Sequence, residues 1–347
     1  MNTIQPDRPG TRPGFFQALQ RQLRQAPAAL TLVAGVALLA HSPVMAQAAY
    51  PNKPVRLVVS YAPGNVTDLL ARIVAGKLAS LWGQGVVVDN RAGQGGSMGA
   101  QTVAKTPADG YTLLFSAMAA LAINPHVYAN VGYDPLKDFI PVVNVASPGL
   151  VMVVSPSLNI HAFKDLVAYS KAHPAALNYG TAGNGTAPHL NMEALKQQTG
   201  LIAQHVPYKA AAAVTTDLLG GRVQIQQDAP SVLLPQIAAG RLTPLIAGNT
   251  RRLPQLPEVQ SITDAVPGFV PVMPWLGIFA PAGTPAAIVS KINQDVNAIL
   301  RQPDVLETLA ANGLTPAGDS PETFGRLLAA DYERLGKLVR QLAIKVD

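Results

Sequence analysis

Cysteine is absent from the 347-residue sequence, which excludes disulfide bonds, thiolate catalysis and cysteine-ligated zinc. Charged residues are also scarce, at 13% against 48% for hydrophobic residues. This composition is typical of a well-packed globular chain rather than a disordered one. The chain is longer than one ordinary core requires, so we expect two domains.

Long apolar runs are missing too. The most apolar stretch, residues 28–40, is shorter than the roughly 20 residues that a membrane-spanning helix needs. Four arginines precede this stretch, and small residues around Ala46 and Ala48 follow it. This order predicts a secretory signal peptide over residues 1–46, cleaved near Ala46, and export of the mature chain to the periplasm. An uncleaved signal anchor is the alternative.

Charge of one sign does not accumulate along the chain. The formal net charge is +6, and removal of the leader would take four arginines and Asp7 away from it. A small positive charge then remains, without basic runs. The sequence therefore predicts no nucleic-acid partner.

Strand-like and helix-like segments alternate after Tyr50, which predicts an α/β fold with mostly parallel sheets. The predicted strands span 55–60, 86–88, 112–115, 150–154, 177–179, 202–206, 223–226, 243–247 and 276–280. The predicted helices span 67–82, 162–172, 190–199, 211–219, 231–239, 285–301, 304–312 and 321–341. No low-complexity linker divides the chain, so we expect strands that cross between two domains and a ligand cleft beyond the carboxyl ends of the strands.

The stretch "VRLVVSYAPGNVTDLLARIV" is a strand, a short turn and the start of a helix. Such a junction aims free backbone N–H groups at whatever lies above the turn. Asn65 is expected to be the N-cap of the helix. Asp68, three residues later, has the spacing of a capping box.

A second junction of this kind, "YGTAGNGT", covers residues 179–186. Its glycines let the backbone approach a ligand, its threonine hydroxyls add donors, and a helix is predicted to begin soon after it. This combination binds an anion with amides and hydroxyls instead of lysines. Two such turns that face one cleft would suit a small carboxylate.

The sequence "GGSMG" around Ser97 has the form of the G-x-S-x-G nucleophile elbow. The elbow needs a strand that runs directly into the serine, and a polar stretch, 89–94, separates Ser97 from the predicted strand. We therefore favour a loop in which Ser97 caps a helix. A secreted serine hydrolase that uses Ser97 remains the alternative function.

Histidine and carboxylate patterns predict no metal site, and no cofactor is expected. The six histidines form neither H-E-x-x-H nor a close cluster with aspartate. His189 and His205 lie beside glycine- or tyrosine-bearing turns, where each either contacts a ligand or has a structural role. Asp228 follows a predicted strand and precedes a helix, so it could simply cap that helix.

Several ordered motifs together resemble the Bug family, the extracytoplasmic solute receptors of tripartite tricarboxylate transporters. The resemblance covers about Tyr50 to Asp347. The motifs are "YAPGNVTD" (61–68), "DNRAGQGG" (89–96), "ADGYTLL" (108–114), "YDPLKDF" (133–139), "YGTAGNGTAPH" (179–189), "HVPYK" (205–209), "DLLGG" (217–221) and "FAPAGTP" (279–285).

The resemblance implies a two-lobed periplasmic-binding-protein fold, type II-like, with the ligand cleft between the lobes. Lobe 1 would comprise residues 47–148 and 272–347, and lobe 2 residues 149–271. The implied function is capture of a small organic acid without chemical change, so no enzyme activity is expected. The implied partners are the membrane subunits of a tripartite tricarboxylate transporter or, alternatively, a sensor kinase that receives the ligand signal. The receptor is expected to be a monomer.

The resemblance also supplies candidate ligand-binding residues. The opening turn would hold one carboxylate, partly through ordered waters, and the second-lobe turn would hold the far end of the ligand. The first lobe would contribute Tyr61, Ala62, Gly64, Asn65, Thr67 and Asp68. The second lobe would contribute Thr181, Ala182, Gly185, Thr186, His189, Tyr208 and Asp228, with Ser116 near the cleft floor.

The chain departs from the family pattern at three places. Asn65 stands where the family usually has a second glycine, Gln227 precedes Asp228 where an apolar residue is common, and Ala210 replaces a glycine after Lys209. Asn65 places a side chain where backbone and water usually meet the carboxylate. We therefore expect Asn65 either to change the ligand preference or to act as a cap alone.

Overall fold

The computed structural model describes residues 1–2 and 50–344. Apart from its first two residues, the predicted signal peptide lies outside this part of the chain, and so does its cleavage site. Among the described residues no helix is long and apolar enough to cross a membrane.

The described chain alternates strands and helices, as the sequence predicts. The strands are β1 (Val55–Val59), β2 (Val86–Asn90), β3 (Thr112–Ala117), β4 (Phe139–Pro148), β5 (Val151–Val154), β6 (Asn178–Thr181), β7 (Gln204–Pro207), β8 (Ile225–Asp228), β9 (Thr243–Ala247), β10 (Leu276–Pro281) and β11 (Leu314–Pro316). The α-helices are α1 (Val66–Trp82), α2 (Ser97–Ala104), α3 (Asn124–Val127), α4 (Phe163–Ala172), α5 (Ala187–Thr199), α6 (Ala211–Leu219), α7 (Pro230–Ala238), α8 (Ile262–Ala265), α9 (Ala286–Ile299), α10 (Pro303–Ala311) and α11 (Pro321–Gln341).

The strands form two sheets, and both sheets are mixed rather than mostly parallel. The first sheet has six strands in the order β11-β4-β10-β3-β1-β2, and the second has five in the order β7-β6-β8-β5-β9. In the first, β1 pairs in parallel with β2 and β3, whereas β10 is antiparallel to both β3 and β4. In the second, β6 is parallel to β7 and β8, whereas β5 is antiparallel to β8 and β9.

The expectation of mostly parallel sheets is wrong because the chain changes sheets at one edge. β4 leaves the first sheet at Pro148, at the edge where β1 and β3 also end, and β5 enters the second sheet beside the carboxyl end of β8. β10 later enters the first sheet from the same side. A strand that enters a sheet at the edge where its neighbours end must run antiparallel to them.

Four elements have no counterpart in the sequence prediction: β4, β11, α3 and α8. The helix α2 is expected only as the helix that Ser97 caps, without bounds. β4 is buried on both faces along much of its length, and Pro141 and Asn144 interrupt its apolar pattern. The other three have only three or four residues each. Elsewhere the prediction is close, and α6, α11 and β9 coincide with it.

Each sheet has an apolar core. The first core surrounds Leu114, Trp275, Phe279 and Phe324, where Trp275 and Phe324 meet edge to face at 5.1 Å between ring centroids. The second sheet carries one apolar cluster on each face, around Tyr179 and Leu195 on the α5 side and around Val214 and Leu233 on the α6 and α7 side. Ala187 and Leu190 of α5 belong to the first core, so α5 packs against both sheets.

The carboxyl edges of the two sheets lie on the side where the chain crosses between them. The parallel strands β1, β2 and β3 end there in the first sheet, and β6, β7 and β8 end there in the second. The two edges approach each other closely: a Cβ added to Gly185 would lie 3.5 Å from Ile123 and from Val127. This is the place where open α/β sheets hold ligands.

Candidate functional site

The opening turn leads from β1 into α1, and its residues 62–65 are exposed. Asn65 is the N-cap of α1, and its Oδ1 accepts a hydrogen bond of 2.9 Å from the N–H of Thr67. The predicted cap is confirmed. The Asn65 side chain therefore already uses one of the free N–H groups at the start of this helix.

Asp68 braces the turn, although not as a capping box. In that motif it would accept from the N–H of Asn65, which instead donates to the Ala62 carbonyl at 3.3 Å. The Asp68 carboxylate accepts from the Gly64 N–H at 2.9 Å, from Asn90 Nδ2 at 2.8 Å and from Arg72 Nε at 3.0 Å. The capping-box prediction is wrong because the left-handed Gly64 points its own N–H at the carboxylate.

Charge also stabilises this arrangement. Asp68 is 3% exposed. Burial opposes its ionisation, but the hydrogen bonds from Arg72, Gly64 and Asn90 outweigh burial and hold the pKa of the carboxyl below its usual value. Asn90 Nδ2 also donates to the Tyr61 carbonyl at 2.9 Å, so the carboxyl end of β2 supports the same turn.

Ser97 is the first residue of α2 and is fully buried. Its Oγ accepts from Asn124 Nδ2 at 2.9 Å and lies 3.3 Å from the hydroxyl of Tyr133. The residue in the N-cap position is Gly96, so the prediction that Ser97 caps the helix is wrong. β2 ends at Asn90, and a 3₁₀ turn over Gln94–Gly96 separates the strand from Ser97, unlike a nucleophile elbow.

Ser116 is the next-to-last residue of β3, and Ser60 directly follows β1, whose last residue Val59 pairs with Phe115. Both side chains are fully buried, and neither Oγ has a hydrogen-bond partner among the described residues. Most buried hydroxyls are paired. These two therefore leave hydrogen-bonding capacity at the carboxyl edge of the first sheet.

The second-lobe turn joins β6 to α5, and its hydroxyls are turned inward. Thr181 Oγ1 and Thr186 Oγ1 both donate to the Gly183 carbonyl, at 3.1 and 2.9 Å. The Gly185 N–H donates to Nδ1 of His189 at 3.1 Å. Three polar side chains thus fix the backbone of this turn.

Three aromatic rings stack behind the turn. His189 on α5 lies over His205 on β7, with ring centroids 3.9 Å apart and an interplanar angle of 14°. His205 in turn stacks on Tyr179 of β6 at 4.8 Å. Nε2 of His205 forms a 2.7 Å hydrogen bond with Thr181 Oγ1, so the stack is tied to the end of β6.

The stack favours neutral histidines. Burial lowers the pKa of His189 to about 4; burial and the neighbouring His189 lower the pKa of His205 to about 4. Tyr179 donates its hydroxyl proton to Glu193. Glu193 also accepts from Lys196 at 2.7 Å, so its charge is already paired.

The opposite face of the second sheet carries Tyr208 and Asp228. The ring of Tyr208 lies against Gly180, where a Cβ would come within 3.2 Å of it, and its hydroxyl donates to Asp217 at 2.8 Å. Asp228 ends β8 on this face and accepts from the Ala229 N–H at 2.8 Å.

The structure places the fourteen predicted ligand residues at two facing edges. The first-lobe set surrounds the start of α1, with Ser116 buried at the end of β3. In the second lobe, Thr181 and His189 are buried behind the turn, whereas Ala182, Thr186, Tyr208 and Asp228 keep exposed surface. The binding contacts of all fourteen stay predictions.

His205 supports the second turn, which is the structural one of its two predicted roles. The structural roles of two other residues went unpredicted: Asn90 supports the opening turn, and Glu193 pairs with Lys196. Only the last has a sequence signal, a Glu followed by Lys three residues later on a helix.

Comparison with known proteins gives one family match and close relatives. Residues 70–344 match the model of the tripartite tricarboxylate transporter family receptor. Protein BugT of Bordetella pertussis is 34% identical over 299 residues, which cover 86% of this chain and 91% of BugT.

Two solved structures extend the comparison. R. palustris Rpa4515 with adipate has a TM-score of 0.79 and 36% identity, covering 85% of this chain and 99% of that one. MatC from Rhodopseudomonas palustris with bound malate has a TM-score of 0.74 and 27% identity, covering 84% of this chain and 100% of that one. These likenesses confirm the resemblance and the two-lobed α/β fold.

Proposed function

The chain belongs to the family of tripartite tricarboxylate transporter receptors, and from this premise we propose that it is a periplasmic solute-binding protein that captures a small organic acid. The ligand would lie between lobe 1 (residues 47–148 and 272–347) and lobe 2 (residues 149–271). The proposed partners are the membrane subunits of such a transporter.

One observation carries the proposal: two strand–turn–helix junctions lie at facing carboxyl edges. α1 and α5 both begin at this boundary, and Gly185 approaches Ile123 and Val127 closely enough that an added Cβ would touch both. Helix starts offer N–H groups and the positive end of the helix dipole, which suit a carboxylate. Relatives with bound adipate and malate support the same ligand class.

The polar groups near these turns suit ligand binding rather than catalysis. Ser97 is buried and its Oγ already accepts from Asn124. Among the described residues, no group of three or more histidines, aspartates and glutamates is arranged to hold a metal ion. Backbone donors that are fixed before the ligand arrives need little reorganisation, so they favour capture and release of an unchanged acid.

A thermal-shift panel tests the ligand class. Adipate, malate, succinate and citrate should raise the melting temperature, whereas neutral sugars should not. A ligand at 100-fold excess over its dissociation constant should add about 2.7 kcal/mol to the free energy of unfolding. Sugars that stabilise the protein while every acid fails would overturn the proposal.

Export has its own test. Intact mass of the protein from a periplasmic extract should correspond to a chain that begins at Gln47 or Ala49. A mass that retains the leader would contradict the proposed processing.

A further inference from the structure

Asp228 is a carboxylate that keeps exposed surface in an otherwise buried stretch. It ends β8 at the carboxyl edge of the second sheet, where the register pairs it with Val151 at the start of β5. Gln226, Gln227 and Ala229 around it are buried, whereas Asp228 is partly exposed. Its side chain therefore lies where a molecule at this edge can reach it.

No basic residue compensates this carboxylate among the described residues. Its partners are the Ala229 N–H, which donates to Oδ1 at 2.8 Å, and Gln226 Nε2, which lies 3.4 Å from Oδ2. The amide of Gln226 is shared, because it also donates to the Ala211 carbonyl at 3.3 Å. One oxygen of Asp228 is thus held firmly and the other only weakly.

The charged residues on the α6 side are engaged elsewhere or point to solvent. Asp217 accepts from Arg222 at 3.0 Å and from the hydroxyl of Tyr208 at 2.8 Å. Lys209 is exposed and forms no ion pair among the described residues. β6 contributes no titratable side chain here, since Gly180 and Ala182 occupy this face. Burial accordingly raises the pKa of Asp228 to about 6.

We propose that Asp228 determines specificity by selecting organic acids that also carry a hydrogen-bond donor, a hydroxyl or an ammonium group, over acids of the same length without one. The inference rests on the proposed function and names its substrate class. A second carboxylate brought to this edge would meet an uncompensated negative charge, which is unfavourable at low dielectric. A donor would instead satisfy the weakly held Oδ2.

The two ligand types should respond to pH in opposite directions. A ligand donor stabilises the ionised form of Asp228, so a donor-bearing acid should bind more tightly as pH rises through about 6. A donor-free acid favours the protonated form and should bind more weakly over the same interval. The ligands' own carboxyl groups titrate in both series and do not reverse this contrast.

Matched dicarboxylates test the proposal by calorimetric titration. The four-carbon series is succinate, malate and aspartate, and the six-carbon series is adipate, 2-hydroxyadipate and 2-aminoadipate. In at least one series the hydroxy or amino acid should bind about tenfold or more tightly than the unsubstituted acid at about pH 7. Comparison of the hydroxy with the amino acid shows which donor is preferred.

Asp228→Asn removes the charge at nearly constant shape. It should reduce the preference for donor-bearing acids to about threefold or less and abolish the opposite pH slopes, while the protein still melts cooperatively. Asp165→Asn, at an exposed position on α4, is the matched control and should keep both effects. An equal loss of affinity for all acids in Asp228→Asn, or tightest binding of the unsubstituted acid by the wild type, would overturn the inference. Failure of every acid to bind any of the proteins would instead overturn the proposed function, and this inference with it.

Discussion

The two turns at the facing edges perform the same task with different chemistry. The opening turn is braced by an ionised carboxylate, Asp68, with Arg72 and Asn90 as donors. The second turn is braced by neutral groups: the hydroxyls of Thr181 and Thr186 on one carbonyl, and a stacked histidine on one N–H. A backbone can thus be fixed either by a buried carboxylate with an exposed basic partner or by neutral groups in the core.

The difference has an energetic consequence. The side chain of Arg72 is 52% exposed, so its attraction to Asp68 is screened by water and salt. The histidine stack is screened far less, and burial disfavours the charged form of either ring. Loss of the Asp68 carboxylate should therefore destabilise the first turn. Protonation of the histidines should destabilise the second.

The largest expected effect is that of Asp68→Ala. The change leaves the Gly64 N–H and the Asn90 amide without their acceptor, so the free energy of unfolding should fall by about 3 kcal/mol. Urea denaturation measures it. Arg72→Ala is the control and should cost less than about 1 kcal/mol, because the pair is largely exposed on that side. Equal losses in the two variants would contradict a role for Asp68 beyond the ion pair.

His189→Leu should cost about 2 kcal/mol, because the buried Gly185 N–H loses its acceptor. His189→Asn places an oxygen near the position of Nδ1 and should recover much of the loss. The midpoints of denaturant unfolding of the two variants and the wild type measure both losses of stability. If leucine and asparagine are equally destabilising, stacking rather than the hydrogen bond holds the turn.

Acid should weaken the second turn before the first. The pKa values of His189 and His205 are lowered to about 4 from 6.5, so the unfolded chain binds more protons between these values. The stability from the neutral pair is present above pH 6.5 and is lost as pH falls towards 4, by at least about 1 kcal/mol. The pKa of Asp68 is lowered from 3.8, so its contribution persists over this interval and disappears below it.

Stability curves from about pH 7 to pH 4 for the wild type and for His189→Asn/His205→Gln measure this effect. The double variant should lose less stability over the interval than the wild type. Parallel curves would show that the histidine pair does not cause the loss.

The smallest effect concerns Asn65. Asn65→Gly should cost a few tenths of a kcal/mol and Asn65→Ala about 1 kcal/mol, because glycine is a tolerated N-cap. Asn65→Gly also frees the Thr67 N–H, which Asn65 Oδ1 now occupies. We expect it to raise affinity for compact dicarboxylates about tenfold. Unchanged affinities in calorimetric titration would make Asn65 a cap alone.

Local patterns in the sequence predicted the two strand–turn–helix junctions well. The side-chain roles that depend on contacts between distant parts of the chain were not predicted. Asn65 was predictable as a cap because its acceptor and donor are two residues apart. The bond from Asn90 to Asp68 was not, since β2 reaches the turn only after the sheet forms. The roles of Ser97 and His205 likewise depend on Asn124 and on the α5 packing, which no local spacing reveals.

Strand direction failed for a similar reason. Alternation of strands and helices indicates parallel pairing, but β5 and β10 enter their sheets where neighbouring strands end. Only the complete path of the chain contains that information. β4 escaped detection because burial on both faces, with Pro141 and Asn144 inside the strand, removes the alternating pattern that marks a strand.

The position of α5 also has a calorimetric consequence. Ala187 and Leu190, at the start of this helix, are buried in the core of the first sheet although α5 packs on the second. Any separation of the two sheets would hydrate these side chains, and exposure of apolar surface raises the heat capacity. A ligand that draws the sheets together would therefore bind with a negative heat-capacity change, even where every group that it touches is polar.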